Sequence, residues 1–130
     1  MKIGVAAERS GLPTKTVRYY DEVGLVSPVS VDANGYRNYE ETDIRKLLFV
    51  RKARTFGFSI EDCRGLLGLY EDRNRASSDV KRIAQERISE IDSKLDELKS
   101  LRRELGHLVQ TCSGDDRPDC PILNELSKPA

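Results

Sequence analysis

Ile3-Gly4-Val5-Ala6-Ala7-Glu8-Arg9-Ser10-Gly11-Leu12-Pro13-Thr14-Lys15-Thr16-Val17-Arg18-Tyr19-Tyr20-Asp21-Glu22-Val23-Gly24 is the stretch on which the fold turns. Residues 3–10 read as a short helix ended by Gly11, and a second helix runs from about Lys15 to Val23, closed by Gly24. Pro13 suits the first turn of that second helix, because its missing N–H has no helical partner there. Val17 and Tyr20 lie three apart and can pack inward. Lys15, Arg18 and Tyr19 fall on other faces and stay available to a ligand. Two short helices joined by a few residues with a glycine form a helix-turn-helix pattern.

Downstream, Val29-Ser30-Val31 and Tyr36-Arg37-Asn38-Tyr39 flank Asp32-Ala33-Asn34-Gly35, a β-prone pair around a turn sequence. A hairpin straight after a helix-turn-helix is a wing. Thr42 is expected to cap a third helix with Ile44, Leu47, Leu48 and Phe56 inward, Arg45, Arg51 and Arg54 around them, and Gly57 at its end. Ser59 caps a fourth helix with Asp62 in a capping-box-like position, and Ile60, Cys63, Leu66, Leu67 and Tyr70 trace its apolar stripe. Glu71 to Arg75 read as a polar connector.

From about Val80 to Gln110 there is no proline, and Ala84, Ile88, Ile91, Leu95, Leu98, Leu105 and Val109 keep a three-four alternation broken by Arg102. A helix of about 30 residues spans roughly 45 Å. A chain of 130 residues has nothing of its own to cover such a stripe. A second copy is the simplest cover, so the pattern predicts a homodimer.

After that helix, Cys112 and Cys120 bracket Ser113-Gly114-Asp115-Asp116-Arg117-Pro118-Asp119, and Pro121 opens a short apolar stretch with Ile122, Leu123 and Leu126. Two thiols at the rims of one tight loop can close on a soft metal ion or on each other as a disulfide. With three cysteines the count is odd, which argues against a secreted disulfide framework. The third, Cys63, sits on an apolar stripe and reads as core. Glu40-Glu41 and Asp115-Asp116 lack a nearby histidine or nucleophile, so the chain is not expected to be an enzyme.

Lysine plus arginine equals aspartate plus glutamate at 22 each, which excludes a generic basic nucleic-acid binder. Residues 1–60 hold 10 basic and 7 acidic side chains, so DNA binding must rest on where the cations sit. No apolar run approaches 18 residues, and the N-terminus is not patterned as a signal peptide. A cytoplasmic protein without a membrane span is expected.

Three segments together resemble the MerR family of transcription regulators, and within it the copper-efflux regulator type (CueR-like): Val17-Arg18-Tyr19-Tyr20-Asp21-Glu22-Val23-Gly24-Leu25, Asn34-Gly35-Tyr36-Arg37-Asn38-Tyr39, and Cys112 through Ile122. The resemblance runs over nearly the whole chain. It implies a mainly α fold: a winged helix-turn-helix domain with accessory helices over 1–75, a dimerisation helix in an antiparallel coiled coil over 76–111, and a metal-binding loop, short helix and tail over 112–130.

By the same resemblance, Lys15, Thr16, Arg18 and Tyr19 enter the major groove of a palindromic promoter. Tyr36 and Arg37 of the wing grip the backbone, and Arg54 joins the DNA contacts. The metal ligands are Cys112 and Cys120. Ser77 stands where regulators of divalent ions carry a third cysteine, with Ser78 one residue off. Two sulfurs suit Cu(I), with Ag(I) or Au(I) also acceptable, better than Zn(II) or Hg(II). The family's mode of action implies activation of efflux genes by distorting promoter DNA for RNA polymerase. A thiol–disulfide redox switch using the same two cysteines is the alternative, although C-x7-C is not the C-x-x-C of redox motifs.

Overall fold

The computed structural model describes all residues from Met1 to Ala130. In chain order its elements are α1 (Ile3–Ser10), α2 (Thr14–Glu22), β1 (Ser30–Val31), β2 (Arg37–Asn38), α3 (Glu41–Thr55), α4 (Ile60–Glu71), α5 (Ser77–Thr111) and α6 (Pro121–Leu126). They fall into two compact units, Met1–Arg87 and Ile88–Ala130. No helix is long and apolar enough to cross a membrane.

In the first unit, α1 stops where Gly11 turns to φ 71°. Gly11 N–H donates to Glu8 and Leu12 N–H to Ala7, so the last carbonyls are satisfied as the chain reverses. Pro13 is the residue before the helix rather than within its first turn, and its carbonyl accepts from Thr16 and Val17. Val17 of α2 is fully buried and Tyr20 nearly so. They meet Ala6 and Ala7 of α1, Ile44, Leu47, Val50 and Ala53 of α3, and Cys63 and Leu67 of α4, with Leu25, Val26, Tyr39 and Phe58 closing the core.

The wing is a two-stranded antiparallel ribbon with Ser30 opposite Asn38 and Val31 opposite Arg37. Its turn is wider than a two-residue Asn-Gly turn, because among its residues only Gly35 has positive φ, at 81°. Asp32 organises it instead. Its Oδ1 accepts from the N–H groups of Asn34 and Tyr36 at 2.9 and 3.0 Å, and its own N–H donates to the Tyr36 carbonyl.

Three expectations for α3 and α4 are corrected. Glu40, not Thr42, caps α3: its N–H donates to Asp43 Oδ2 at 3.0 Å in a reciprocal capping box, and the Thr42 hydroxyl only braces the Glu40 carboxylate. Leu48 is 42% and Phe56 56% exposed, because the inward face follows 44, 47, 50 and 53 and so recruits Val50 and Ala53. Tyr70 is likewise exposed, though its ring packs on Phe49 at 5.0 Å between centroids. Ser59 does cap α4, accepting from Asp62 N–H at 3.0 Å.

α5 is one continuous helix of 35 residues, beginning three residues before the periodicity suggested and burying no side chain fully. Ile83, near its start, packs against the first unit's core. Beyond it, Ile88, Leu95, Leu98, Leu101, Leu105 and Val109 are each about half exposed.

Two substitutions separate packing from polarity in the first unit. Leu47 is fully buried, so Leu47→Ala should lower its unfolding free energy by about 2–5 kcal/mol. The Tyr39 hydroxyl is buried without a hydrogen-bond partner, so Tyr39→Phe should be neutral or stabilising. Urea unfolding checks both, and a Tyr39→Phe loss comparable with that of Leu47→Ala would show that the hydroxyl is satisfied in solution.

Candidate nucleic-acid interface and candidate metal centre

The face of α2 opposite Val17 and Tyr20 carries Lys15, Arg18 and Tyr19, all exposed, with Thr16 half-buried at its edge. Tyr36, at the wing tip, is 61% exposed, and the Lys2 ammonium lies 5.0 Å from its ring centroid. Arg37 is held rather than free-standing: its Nε donates to Asp21 Oδ2 at 2.6 Å, with both side chains mostly covered. That carboxylate holds the guanidinium even more firmly protonated than usual. The pair ties β2 to α2, so the wing and the exposed helix face keep one geometry. Arg54 is also engaged, donating from one terminal nitrogen to the Phe58 carbonyl at 2.7 Å. Burial raises the Tyr20 hydroxyl pKa, and the nearby Arg54 cation opposes this.

Arg64 was not singled out by sequence reasoning. From α4 it donates to the Gly24 carbonyl at 2.8 Å and the Val23 carbonyl at 2.9 Å, fixing the end of α2. Its partners lie 40 and 41 residues away and are backbone atoms, which leave no signature in sequence.

At the far end of the chain, Cys112 continues the last turn of α5, its N–H donating to the Leu108 carbonyl at 3.1 Å. Gly114, at φ 65°, turns the loop. Cys120 is the residue immediately before α6, with Pro121 in the first helical position. Both thiols are half-buried and free. The Cys120 thiol pKa is lowered, chiefly because the Leu123 N–H at the start of α6 favours the thiolate; Ile122 N–H and the Cys112 thiol add to this, and burial opposes it. The Cys112 thiol thus lies near enough to Cys120 to favour its ionised form.

The carboxylates of the loop do not join them. Asp115 accepts from Arg117 N–H at 2.9 Å and pairs with its guanidinium at 2.8 Å, which holds that carboxyl below its usual pKa. No group of three or more His, Cys, Asp and Glu side chains gathers anywhere in the chain. Two adjacent sulfurs beside the N–H groups of a helix start suit an ion that accepts two soft ligands and leaves a net negative unit to be stabilised. The donor set fits a monovalent soft ion. Ser77 is the first residue of α5 and is exposed. Cys63, by contrast, is fully buried, and burial pushes its thiol pKa up.

Residues 1–69 match the family described as MerR HTH family regulatory protein, and residues 44–108 match MerR, DNA binding. The chain is 59% identical over 127 residues to the HTH-type transcriptional regulator HmrR of Rhizobium leguminosarum bv. viciae, covering 98% of each. It is 42% identical to the HTH-type transcriptional regulator CueR of Salmonella typhimurium, covering 98% of this chain and 92% of that one. Among solved structures it is similar to the transcription regulator PbrR691 of Ralstonia metallidurans CH34 in complex with lead(II), with a TM-score of 0.85 and 30% identity over 98% of this chain and 99% of that one. The chain belongs to the MerR family of transcription regulators.

The thiol environments predict reactivity with a definite pH dependence. A lowered pKa means that Cys120 becomes thiolate at lower pH than an ordinary cysteine, so its alkylation by iodoacetamide should rise through a midpoint below that of the unfolded chain. Cys63 should stay unlabelled until the protein unfolds. Peptide mass spectrometry across pH checks both. A Cys120 midpoint equal to that of the unfolded chain would contradict the helix-start stabilisation.

Proposed function

We propose that this MerR-family regulator is a metal-responsive transcription activator that senses a monovalent coinage-metal ion. Cu(I) is the leading candidate, and Ag(I) and Au(I) satisfy the same donor set. The observation that carries this reading is that Cys120 stands at the start of α6 near the Cys112 thiol, with no further His, Cys, Asp or Glu grouped beside them. Similarity to CueR and to the lead(II)-bound PbrR691 supports metal sensing. Selectivity for one charge state is argued from ligand count. No observation favours the thiol–disulfide alternative.

In this reading the exposed stripe of α5 pairs with that of a second copy, giving a homodimer with two reading heads. Lys15, Thr16, Arg18 and Tyr19 of each α2 meet base edges and phosphates in the major groove of a palindromic promoter, and Tyr36 meets the backbone. Arg37 and Arg54 take part while bonded to Asp21 and Phe58, so removing either disturbs the reader's shape as well as its charge. The thiol pair binds the ion, and the N–H groups of Ile122 and Leu123 stabilise the sulfur charge. The ion supplies a bond between α5's end and α6's start. The dimer then distorts the promoter so that RNA polymerase can use it, acting on efflux genes in the cytoplasm.

The thiols lie far along the chain from α2, so sensing and DNA binding should separate. Cys112→Ser and Cys120→Ser should each abolish activation by Cu(I) in a promoter-reporter assay while leaving operator affinity within about threefold, since no phosphate contact is removed. Activation surviving in either variant would rule out the two-thiolate site.

Ser77 is proposed to hold the ligand count at two. Wild type should answer Cu(I), Ag(I) and Au(I) and ignore Zn(II) and Hg(II). Ser77→Cys should extend the response to divalent ions by adding a third sulfur. A Zn(II) response in wild type, or no divalent response in the variant, would show that ligand count does not set selectivity.

A further inference from the structure

The turn between α3 and α4 receives a side chain from α5 that neither the metal chemistry nor the DNA surface accounts for. Arg87 donates from Nε to the Phe56 carbonyl at 3.0 Å. Phe56 is the C-cap residue just after Thr55 of α3, so the guanidinium meets the negative end of that helix. Gly57 shows that the fit is built in. Its φ of 86° already favours glycine, and a Cβ there would also overlap the Arg87 guanidinium. One turn earlier on the same face of α5, Ile83 packs against the core shared with α2. Arg54 anchors the other side of the turn through the Phe58 carbonyl. An apolar contact and a charged hydrogen bond four residues apart thus fasten the start of α5 to the body that carries the reading helix.

We infer that Arg87, seated against Gly57, is the positioning residue that latches the start of α5 to the DNA-reading unit and so fixes how far apart the two α2 helices stand in the dimer. This rests on reading α5 as the dimer helix of a two-headed DNA binder. A rigid joint is needed for any change along α5 to move a reading head. With the latch broken, each head swivels on the Asp72–Ala76 connector, held by the apolar packing of Ile83. The dimer should still bind DNA and metal, but it should lose discrimination between operator spacings and lose transmission of the metal signal.

The test uses the full chain and three variants. Arg87→Met keeps the apolar stem and removes the donors, Arg87→Lys restores one donor, and Gly57→Ala displaces the guanidinium from the other side. Hydrogen exchange, which needs neither DNA nor metal, reads the latch itself. Amides of residues 77–87 should exchange about tenfold faster in Arg87→Met, the scale of losing one hydrogen bond to a charged group. They should recover partly in Arg87→Lys, with the α1–α2 amides unchanged. The functional reading uses a palindromic duplex selected by the wild-type chain from random DNA, with one base pair inserted or removed between half-sites. Wild type should lose at least about tenfold in affinity for the altered spacings. Arg87→Met and Gly57→Ala should bind all three within about threefold and show a reduced Cu(I) induction ratio. Unchanged exchange at 77–87, or wild-type spacing discrimination in Arg87→Met, would overturn the latch. A wild type that selects no palindrome would contradict the dimeric reader instead, and the exchange result would still decide the latch.

Discussion

Seven apolar side chains of α5 at Ile88, Ile91, Leu95, Leu98, Leu101, Leu105 and Val109 are between 39% and 57% exposed, and the rest of the proposed architecture depends on covering them. Each is worth about 1.5–3 kcal/mol when fully buried. Two copies together bring enough apolar surface to exceed the roughly 4–15 kcal/mol that association costs. Pairing through this seam would give the two reading heads a fixed separation, and a sensor at the end of the helix could then act on DNA. Without it, α2 is a single small reader in a chain with no net charge, and electrostatics alone would not hold it on a promoter.

The first unit shows how local chemistry is subordinated to that purpose. Arg37 and Arg64 do not simply decorate the surface. One ties the wing to Asp21 of α2, and the other ties the end of α2 to α4. Together with the core around Val17 and Tyr20, they hold the exposed face of α2 as a rigid object, so in the proposed reading Lys15, Arg18 and Tyr19 would meet DNA without first being ordered. The thiol loop is organised by equally local means: Gly114 makes the turn, Arg117 draws Asp115 aside, and Pro121 starts a helix whose first N–H groups face Cys120.

Much of this could be read in the sequence. Glycines after helices, apolar spacing in α1, α2 and α5, and the Cys-x7-Cys-Pro pattern are local signals, and each located its element to within a few residues. What was misread depends on tertiary choice. Leu48 and Phe56 read as inward because they are large and apolar, but the small Ala53 and the branched Val50 lie on the buried face. Glu40 displaced Thr42 as a cap because Asp43 stood at the reciprocal position. Arg64 and Arg87 could not have been found, since their partners are carbonyl oxygens 31 to 41 residues away. The same holds for the nearness of the two thiols, which the spacing allows but does not require.

Ligand count at the thiol pair is the point on which metal identity turns, and it can be measured directly. The purified, reduced protein is titrated with Cu(I) under a strong competing chelator, and the loaded protein is then studied by X-ray absorption at the copper edge. The expected result is one Cu(I) per Cys112–Cys120 pair, bound by two sulfurs and nothing else. A third donor at the ion, or failure to take Cu(I) from the chelator, would contradict a two-thiolate sensor of monovalent metal.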